Sequence, residues 1–240
     1  MKIIFKNIEP EIEVDDQKDD SLGYSEFSSL LVRLIKTAQP PFTIAIDGEW
    51  GSGKSSILNF VKNKLREENV CEIIDFDAWL YKNEIPLALP LLSSIKDIAP
   101  PDKENEIKST VIGFYEAFKT VGEQTVKNVI GVDFGEVQLR AEKRKSLNNR
   151  WEDYERYINK LKKWKIDFET LINKLTTADK NKIVIFVDNI DRCLPDNIVG
   201  FLEDISIFFK SKSVVFVLAM DRKIIKAAFS SRYGDEVSFS

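Results

Sequence analysis

Histidine is absent from this sequence, and cysteine is nearly absent. The chain of 240 residues contains no His and two Cys, Cys71 and Cys193. Without histidine, His-based catalytic triads and His-ligated metal sites are excluded. Two cysteines cannot form a disulfide framework, and no metal-binding spacing surrounds them. We therefore expect both to be small residues in or near the core.

Long apolar runs and an excess of one charge are lacking as well. The longest uncharged run, residues 85–95, is about half of the roughly 20 residues that a membrane span needs. The N-terminus has no apolar stretch typical of a signal peptide. Lys and Arg number 35 against 39 Asp and Glu. The chain as a whole therefore lacks the excess of positive charge that is typical of nucleic-acid-binding proteins. These features predict a cytoplasmic protein with no transmembrane segment and no clear nucleic-acid site.

The chain does contain enough apolar residues for one sizeable core, since 43% of it is hydrophobic. Four runs predict buried strands, at residues 42–46, 71–79, 183–187 and 214–219. Between them, apolar residues recur at spacings of three and four, which predicts amphipathic helices. The helical stretches lie near residues 27–35, 57–65, 86–98, 147–175 and 195–209, and a short strand is expected within residues 1–21. This alternation predicts an α/β fold with a mostly parallel sheet.

The predicted helix at residues 147–175 has a basic face opposite its apolar one. A solvated face on a packed helix is the ordinary interpretation of such a charge run. A protein partner, a second copy of the chain in a homo-oligomer, or an anionic surface bound through this helix is the alternative.

A glycine-rich loop joins the first predicted strand to a helical stretch. It has the pattern Gly48-x-x-x-x-Gly53-Lys54-Ser55, which is the Walker A pattern in the strand, loop and helix context that it needs. Glycines let backbone N–H groups turn around phosphate oxygens, and the helix N-terminus adds N–H donors. Lys54 is predicted to reach the β- and γ-phosphates, and Ser55 to offer its hydroxyl to Mg²⁺. The residues predicted to bind nucleotide are Gly48, Glu49, Trp50, Gly51, Ser52, Gly53, Lys54, Ser55 and Ser56.

Hydrolysis also needs a metal-orienting carboxylate from a neighbouring strand. Asp188 ends the run at residues 183–187, where a parallel strand reaches the ligand-binding crevice, and we predict that it holds Mg²⁺ together with Ser55. Many ATPases carry a second carboxylate directly afterwards, but here that residue is Asn189, whose amide can orient water but cannot take its proton. Asp191 is the nearest remaining candidate. The predicted catalytic residues are Lys54, Asp188, Asn189 and Asp191.

Three more polar residues lie close to these motifs in the sequence. Arg192 could contact phosphate or pair with an acid at a helix start. Asp221 and Arg222 follow the last predicted strand, and each could sit beside the γ-phosphate or in an ordinary salt-bridged turn. The residues alone leave both interpretations open.

Five motifs in order make the chain resemble the KAP family of P-loop NTPases. They are Leu22-Gly23-Tyr24, the loop at residues 48–55 with its tryptophan, Phe76-Asp77-Ala78-Trp79-Leu80-Tyr81, Asp188-Asn189-Ile190-Asp191-Arg192-Cys193, and Phe216-Val217-Leu218-Ala219-Met220-Asp221-Arg222. The resemblance covers residues 20 to about 235 and is loose over residues 100–165. It implies a three-layer α/β/α P-loop NTPase fold in which another strand separates the Walker A and Walker B strands.

The resemblance also implies a domain organisation. Residues 1–240 would form a single P-loop NTPase domain, with an N-terminal lead-in and helix at 1–40 and a helical insertion at 100–178 between the two Walker motifs. Family members often carry transmembrane helices in such an insertion, so this chain is similar to a soluble member. They usually continue into a fifth strand and a helical lid. The lid is expected to be absent here, as in a natural short form or a fragment.

For function, the resemblance implies binding of ATP with Mg²⁺ and slow hydrolysis coupled to a conformational switch. Bacterial and plasmid members are tied to phage exclusion, so phage defence is the family-level expectation. Asn189 replaces the family's second aspartate, which keeps open a non-hydrolysing nucleotide-binding interaction or regulatory module. A P-loop kinase is a weaker interpretation, because no acceptor-binding lid is recognisable.

Overall fold

The computed structural model describes residues 24–82, 86–122, 142–207 and 209–234. Within them lie four strands and seven helices, together with short 3₁₀ turns. The strands are β1 (Phe42–Asp47), β2 (Glu72–Asp77), β3 (Ile183–Asp188) and β4 (Val214–Met220). The helices are α1 (Tyr24–Thr37), α2 (Lys54–Glu68), α3 (Ala88–Ser94), α4 (Glu104–Gly122), α5 (Glu142–Leu175), α6 (Pro195–Ile207) and α7 (Arg222–Tyr233).

The four strands form one parallel sheet in the order β1-β4-β3-β2. The predicted parallel α/β fold is therefore confirmed. β4 lies between the strand that precedes the glycine loop and the strand that ends at Asp188, as the resemblance implies. All four carboxyl ends meet at one edge of the sheet, which is where open α/β sheets bind ligands.

Helices cover both faces of the sheet, which gives three layers. Alternate residues of β3 point to opposite sides: Val184 and Phe186 join the apolar cluster under α1 and α2, whereas Ile185 and Val187 join the cluster under α3–α7. Both central strands are buried along almost their whole length, because each face of a parallel sheet must be covered by its crossover helices.

β1 is less buried than the sequence predicts. Ile44 and Ile46 are buried against α1 and α2, but Phe42, Thr43 and Ala45 are exposed. Among the described residues β1 pairs with β4 alone, so it is an edge strand with one covered face. The apolar run predicted a buried strand, and that prediction was wrong for Phe42, Thr43 and Ala45.

Two other predicted elements are shorter in the structure. The strand predicted at residues 71–79 ends at Asp77, because the Asp77 carboxylate accepts the Trp79 N–H at 2.9 Å and starts a 3₁₀ turn, Ala78–Tyr81. The helix predicted at 86–98 is α3 followed by the 3₁₀ turn Ile95–Asp97. Its predicted apolar side is nevertheless buried, at Leu87, Leu91 and Ile95.

The long helix predicted at residues 147–175 is confirmed and extends further towards the N-terminus, as α5. Its C-terminal half packs on α4 through Trp164, Phe168 and Leu171, which are buried. The Trp164 indole N–H donates to the Thr110 carbonyl of α4 at 3.1 Å. Both helices lie between β2 and β3 in the chain.

The apolar stripe predicted for α1 is only partly buried. Leu31 and Ile35 are buried, whereas Phe27, Leu30 and Leu34 are exposed, since α1 rests on α2 with a single face. The short strand predicted within residues 1–21 lies outside the described residues, and the division into lead-in, domain and insertion stays a prediction. No helix in the described part of the chain is both long and apolar enough to cross a membrane.

Candidate nucleotide site at the carboxyl edge of the sheet

The loop between β1 and α2 is shaped by three glycines. Gly51 and Gly53 have φ values of 76° and 81°, in the left-handed region that side chains with a Cβ rarely adopt. At Gly48 the constraint is space, because a Cβ there would lie 2.4 Å from the Ser52 hydroxyl oxygen. The loop therefore has the backbone curvature that a phosphate cradle requires.

α2 begins at Lys54, directly after this loop. Its inner face is buried against the sheet through Leu58, Val61 and Leu65, which fixes the direction of its axis. The N–H groups of the first turn, where Ser55 and Ser56 lie, point back to the loop. An anion bound in the loop would accept hydrogen bonds from them and meet the positive end of the helix dipole.

Lys54 lies inside the loop. Its ammonium group donates to the carbonyl oxygens of Gly48 at 2.8 Å and Glu49 at 3.1 Å, and lies 3.6 Å from the Asp191 carboxylate. The side chains of Lys54 and Asp191 are only 11% and 9% exposed. The structure thus brings two of the predicted site residues together.

Glu49 and Trp50 have side chains directed away from the loop interior. Glu49 forms an ion pair with Lys223 of α7, and Trp50 is 72% exposed. Within the loop these two residues therefore contribute backbone groups rather than side chains.

Asp188 and Asn189 mark the carboxyl end of β3. Asn189 has a φ of 57°, a left-handed conformation that asparagine tolerates better than most residues. Its N–H donates to the Asp188 carboxylate at 2.8 Å. Both residues line a polar cavity of about 280 Å³ between β2, β3 and α2.

Asp191 does not line that cavity and instead faces the glycine loop. Its carboxylate accepts the Asp221 N–H at 2.9 Å and faces Lys54. Asp221 in turn caps the N-terminus of α7, where its own carboxylate accepts the Lys223 N–H at 2.8 Å. Asp191 therefore connects the loop lysine with the junction of β4 and α7.

The two arginines left open by the sequence are on the surface. The Arg192 guanidinium stacks on Trp79, 5.8 Å from the ring centre. Arg222 is exposed, and its backbone N–H donates to the Asp47 carboxylate at 2.9 Å. The Arg192 side chain is therefore engaged by Trp79, and Arg222 contributes its backbone to the junction with β1.

The model of the KAP family P-loop domain matches residues 24–238, which is most of the chain. The chain belongs to the KAP family. No curated protein matches it closely enough to count as a relative.

The KAP assignment makes this chain a P-loop domain of a nucleotide-binding NTPase family. Such domains generally bind nucleotide together with Mg²⁺. The residues present fit that ion, because the Ser55 hydroxyl and the Asp188 carboxylate are hard oxygen donors. In the described residues, no group of three or more His, Cys, Asp or Glu side chains could form a closed metal site. Mg²⁺ at this site would therefore take its remaining ligands from phosphate oxygens and water.

One acidic residue near the site of this KAP domain was not predicted from the sequence. Asp77, at the end of β2, pairs in register with Asp188 at the end of β3, and it lines the same cavity. The strand had been predicted to continue to residue 79, so Asp77 was not recognised as a strand-end acid beside Asp188.

Cys193 holds the ends of β2 and β3 together. Its buried thiol contacts the Ala78 carbonyl at 3.5 Å and the Asn189 carbonyl at 3.9 Å. Burial, followed by the negative charges of Asp77 and Asp191, raises the pKa of this thiol to about 11. The cysteine is therefore protonated and structural, as expected for a small core residue. Cys71, whose pKa burial also raises to about 11, fits the same expectation.

Proposed function

We propose that this KAP domain binds ATP with Mg²⁺ and hydrolyses it slowly, using the cycle as a conformational switch. The observation that carries the proposal is the position of Lys54 inside the glycine loop, beside Asp191. Lys54 and the backbone N–H groups would hold the phosphates, and Ser55 and Asp188 the metal. When bound, Mg²⁺ would neutralise charge on the phosphate oxygens. ATP rather than GTP follows from the family resemblance and from the lack of a guanine-reading motif.

The switch is supported by the contacts of Asp191. In this structure Lys54 bonds loop carbonyls and pairs with Asp191, so binding of phosphate must draw its ammonium group towards a new partner. Asp191 would then lose its cation while it still holds the N–H at the start of α7. A change at the loop is in this way linked to the position of α7.

The proposal is tested by titrating a fluorescent ATP analogue into the full chain with and without Mg²⁺, followed by phosphate-release assays. The parent should bind in a Mg²⁺-dependent manner and release phosphate at a low rate. Lys54→Ala should weaken binding by about 100-fold or more, because it removes the charge-assisted phosphate contact. Equal binding by the parent and Lys54→Ala would refute a nucleotide site in this loop. Light scattering with and without nucleotide tests whether the switch changes the oligomeric state.

A non-hydrolysing interaction module is the second candidate, and Asn189 is the observation that favours it. An amide beside the metal aspartate orients water without accepting its proton. The exposed lysines of α5, at positions 160, 162, 163 and 165, would then serve a protein partner or a second copy of the chain. Phosphate release no higher than that of Lys54→Ala supports this candidate, provided that Asn189→Asp raises the rate.

Phage defence is proposed on the family resemblance alone. Cells that express the chain should form fewer plaques than cells that express Lys54→Ala at the same level. Equal plaque numbers over a panel of phages would remove this role and leave the biochemical proposal intact.

A further inference from the structure

Asp77 lies where the site lacks a proton acceptor. It is the last residue of β2 and the register partner of Asp188, and parallel neighbours in a sheet have their chains about 5 Å apart. Asp77, Asp188 and Asn189 line the same polar cavity. A water molecule placed next to the metal aspartate on this side would therefore have the Asp77 carboxylate nearby.

The position of Asp77 is fixed from two sides. Its Oδ1 accepts the Trp79 N–H at 2.9 Å, which sets the side-chain orientation. The Cys193 thiol contacts the carbonyls of Ala78 and Asn189, so the turns after β2 and β3 are held against each other. A catalytic group needs such support, because a displacement of about 1 Å can cost on the order of 100-fold in rate.

The other acids near the site have different partners. Asp191 faces Lys54 and accepts the Asp221 N–H. Asp75 is paired with Lys62 at 2.6 Å. Asp97 is an exposed residue at the end of the 3₁₀ turn Ile95–Asp97, not at a strand end, although it lines the cavity. Asp77 is therefore the carboxylate that combines a strand-end position beside Asp188 with a share of the cavity.

We propose that Asp77 is the general base of the hydrolysis, in place of the carboxylate that Asn189 has replaced. The inference rests on the proposed function. The water oxygen attacks the γ-phosphorus while Asp77 accepts one water proton. The bond from the γ-phosphorus to the bridging oxygen breaks, and its electrons stay on the β-phosphate of ADP. The proton then passes from Asp77 to the released phosphate or to bulk water, and Asn189 orients the water through its amide.

The experiment compares the parent chain with Asp77→Asn. Asparagine keeps an oxygen that can accept the Trp79 N–H, so the turn is preserved while the basic group is lost. We expect phosphate release to fall by about 100-fold or more, in the range that general-base catalysis contributes. The affinity for the ATP analogue and the thermal unfolding midpoint should stay near the parental values. The matched control is Asp97→Asn, which removes the same charge from the same cavity and should change release by less than about 2-fold.

A rescue variant separates chemistry from structure. In the double variant Asp77→Asn with Asn189→Asp, a carboxylate returns beside the water, and phosphate release should recover by about 10-fold or more over Asp77→Asn. A purely structural role of Asp77 would not respond to this second change. Parental release in Asp77→Asn, or failure of the rescue, overturns the assignment and leaves the proposed hydrolysis standing. A parent that releases no more phosphate than Lys54→Ala overturns the hydrolysis and the assignment together.

Discussion

The carboxyl edge of the sheet has two halves that are built in different ways. The phosphate half depends on backbone geometry: two glycines in left-handed conformations and a third against which the Ser52 side chain packs, followed by a helix N-terminus. The acidic half depends on side chains at the ends of β2 and β3 and in the turn that follows. A phosphate loop built from backbone must be one continuous segment of the sequence. A carboxylate, in contrast, can come from the end of either neighbouring strand.

The largest effect is expected at Gly48, in the half built from backbone. An alanine Cβ there would lie 2.4 Å from the Ser52 hydroxyl oxygen and 3.3 Å from the Ser52 Cβ, so the Ser52 side chain must turn away and the loop backbone beside it must shift. We expect Gly48→Ala to weaken binding of a fluorescent ATP analogue with Mg²⁺ by about 100-fold, because the N–H groups would no longer converge on the phosphates.

The matched control for this variant is Gly200→Ala in α6. There the nearest atom to an added Cβ is 4.0 Å away, and alanine favours a helix interior over glycine by about 0.5 to 1 kcal/mol. Gly200→Ala should bind the analogue like the parent and unfold at a slightly higher temperature. Parental binding by Gly48→Ala would show that the loop tolerates side chains, and the contrast between the halves would be lost.

A buried acid away from the site sharpens the comparison, because it shows what burial of a carboxylate costs in stability. Burial, helped by the negative charge of Glu203 and opposed by Arg232, raises the pKa of Asp204 in α6 to about 7. Between the ordinary aspartate pKa and 7 the folded state binds more protons than the unfolded state, so stability falls as the pH rises through this window and is constant above it. We expect Asp204→Asn to raise the unfolding temperature by several degrees at pH 8.

The same Asp204→Asn variant should gain less at pH 5, where the folded parent is still protonated at this position. Thermal unfolding at both pH values measures the difference. The control is Asp196→Asn, which removes an exposed acid from the first turn of the same helix and should show no such pH dependence. An Asp204→Asn gain that is equal at the two pH values would mean that Asp204 ionises normally in the folded chain.

Much of the phosphate half could be predicted from the sequence, and less of the acidic half. Gly48, Gly53 and Lys54 have a fixed spacing along the chain, because the loop that they form is continuous. The relation between Asp77 and Asp188 depends on the pairing of β2 with β3, across a separation of more than a hundred residues. No local pattern encodes that pairing. The position of Asp191 beside Lys54 could not be predicted for the same reason.

The fold shows a similar division. The apolar runs of β3 and β4 predicted buried strands correctly, since central strands are covered on both faces. The run of β1 is just as apolar at its centre, yet Thr43 and Ala45 are exposed, because the sequence of a strand does not state whether a neighbour lies on each side. The spacing of apolar residues in α5 predicted a long helix from residue 147. The helix begins earlier, at Glu142, where the apolar spacing does not extend.

The smallest effect is expected at Asp191, where the two halves meet. Its carboxylate pairs with Lys54 at 3.6 Å and would lie close to bound phosphate, so its charge both restrains the lysine and repels the ligand. Asparagine keeps an oxygen for the Asp221 N–H. We expect Asp191→Asn to tighten binding of the ATP analogue by about 3-fold to 10-fold, on the scale of a partly buried ion pair.

The control for Asp191→Asn is again Asp196→Asn, whose exposed carboxylate should leave the affinity within about 2-fold. Titrations at low and high salt add a second readout, because the gain at Asp191 is electrostatic and shielded by the protein, so it should persist when surface charges are screened. Weaker binding by Asp191→Asn would mean that this carboxylate contributes to the bound state, and the phosphate half would then depend on an acid as well as on its backbone.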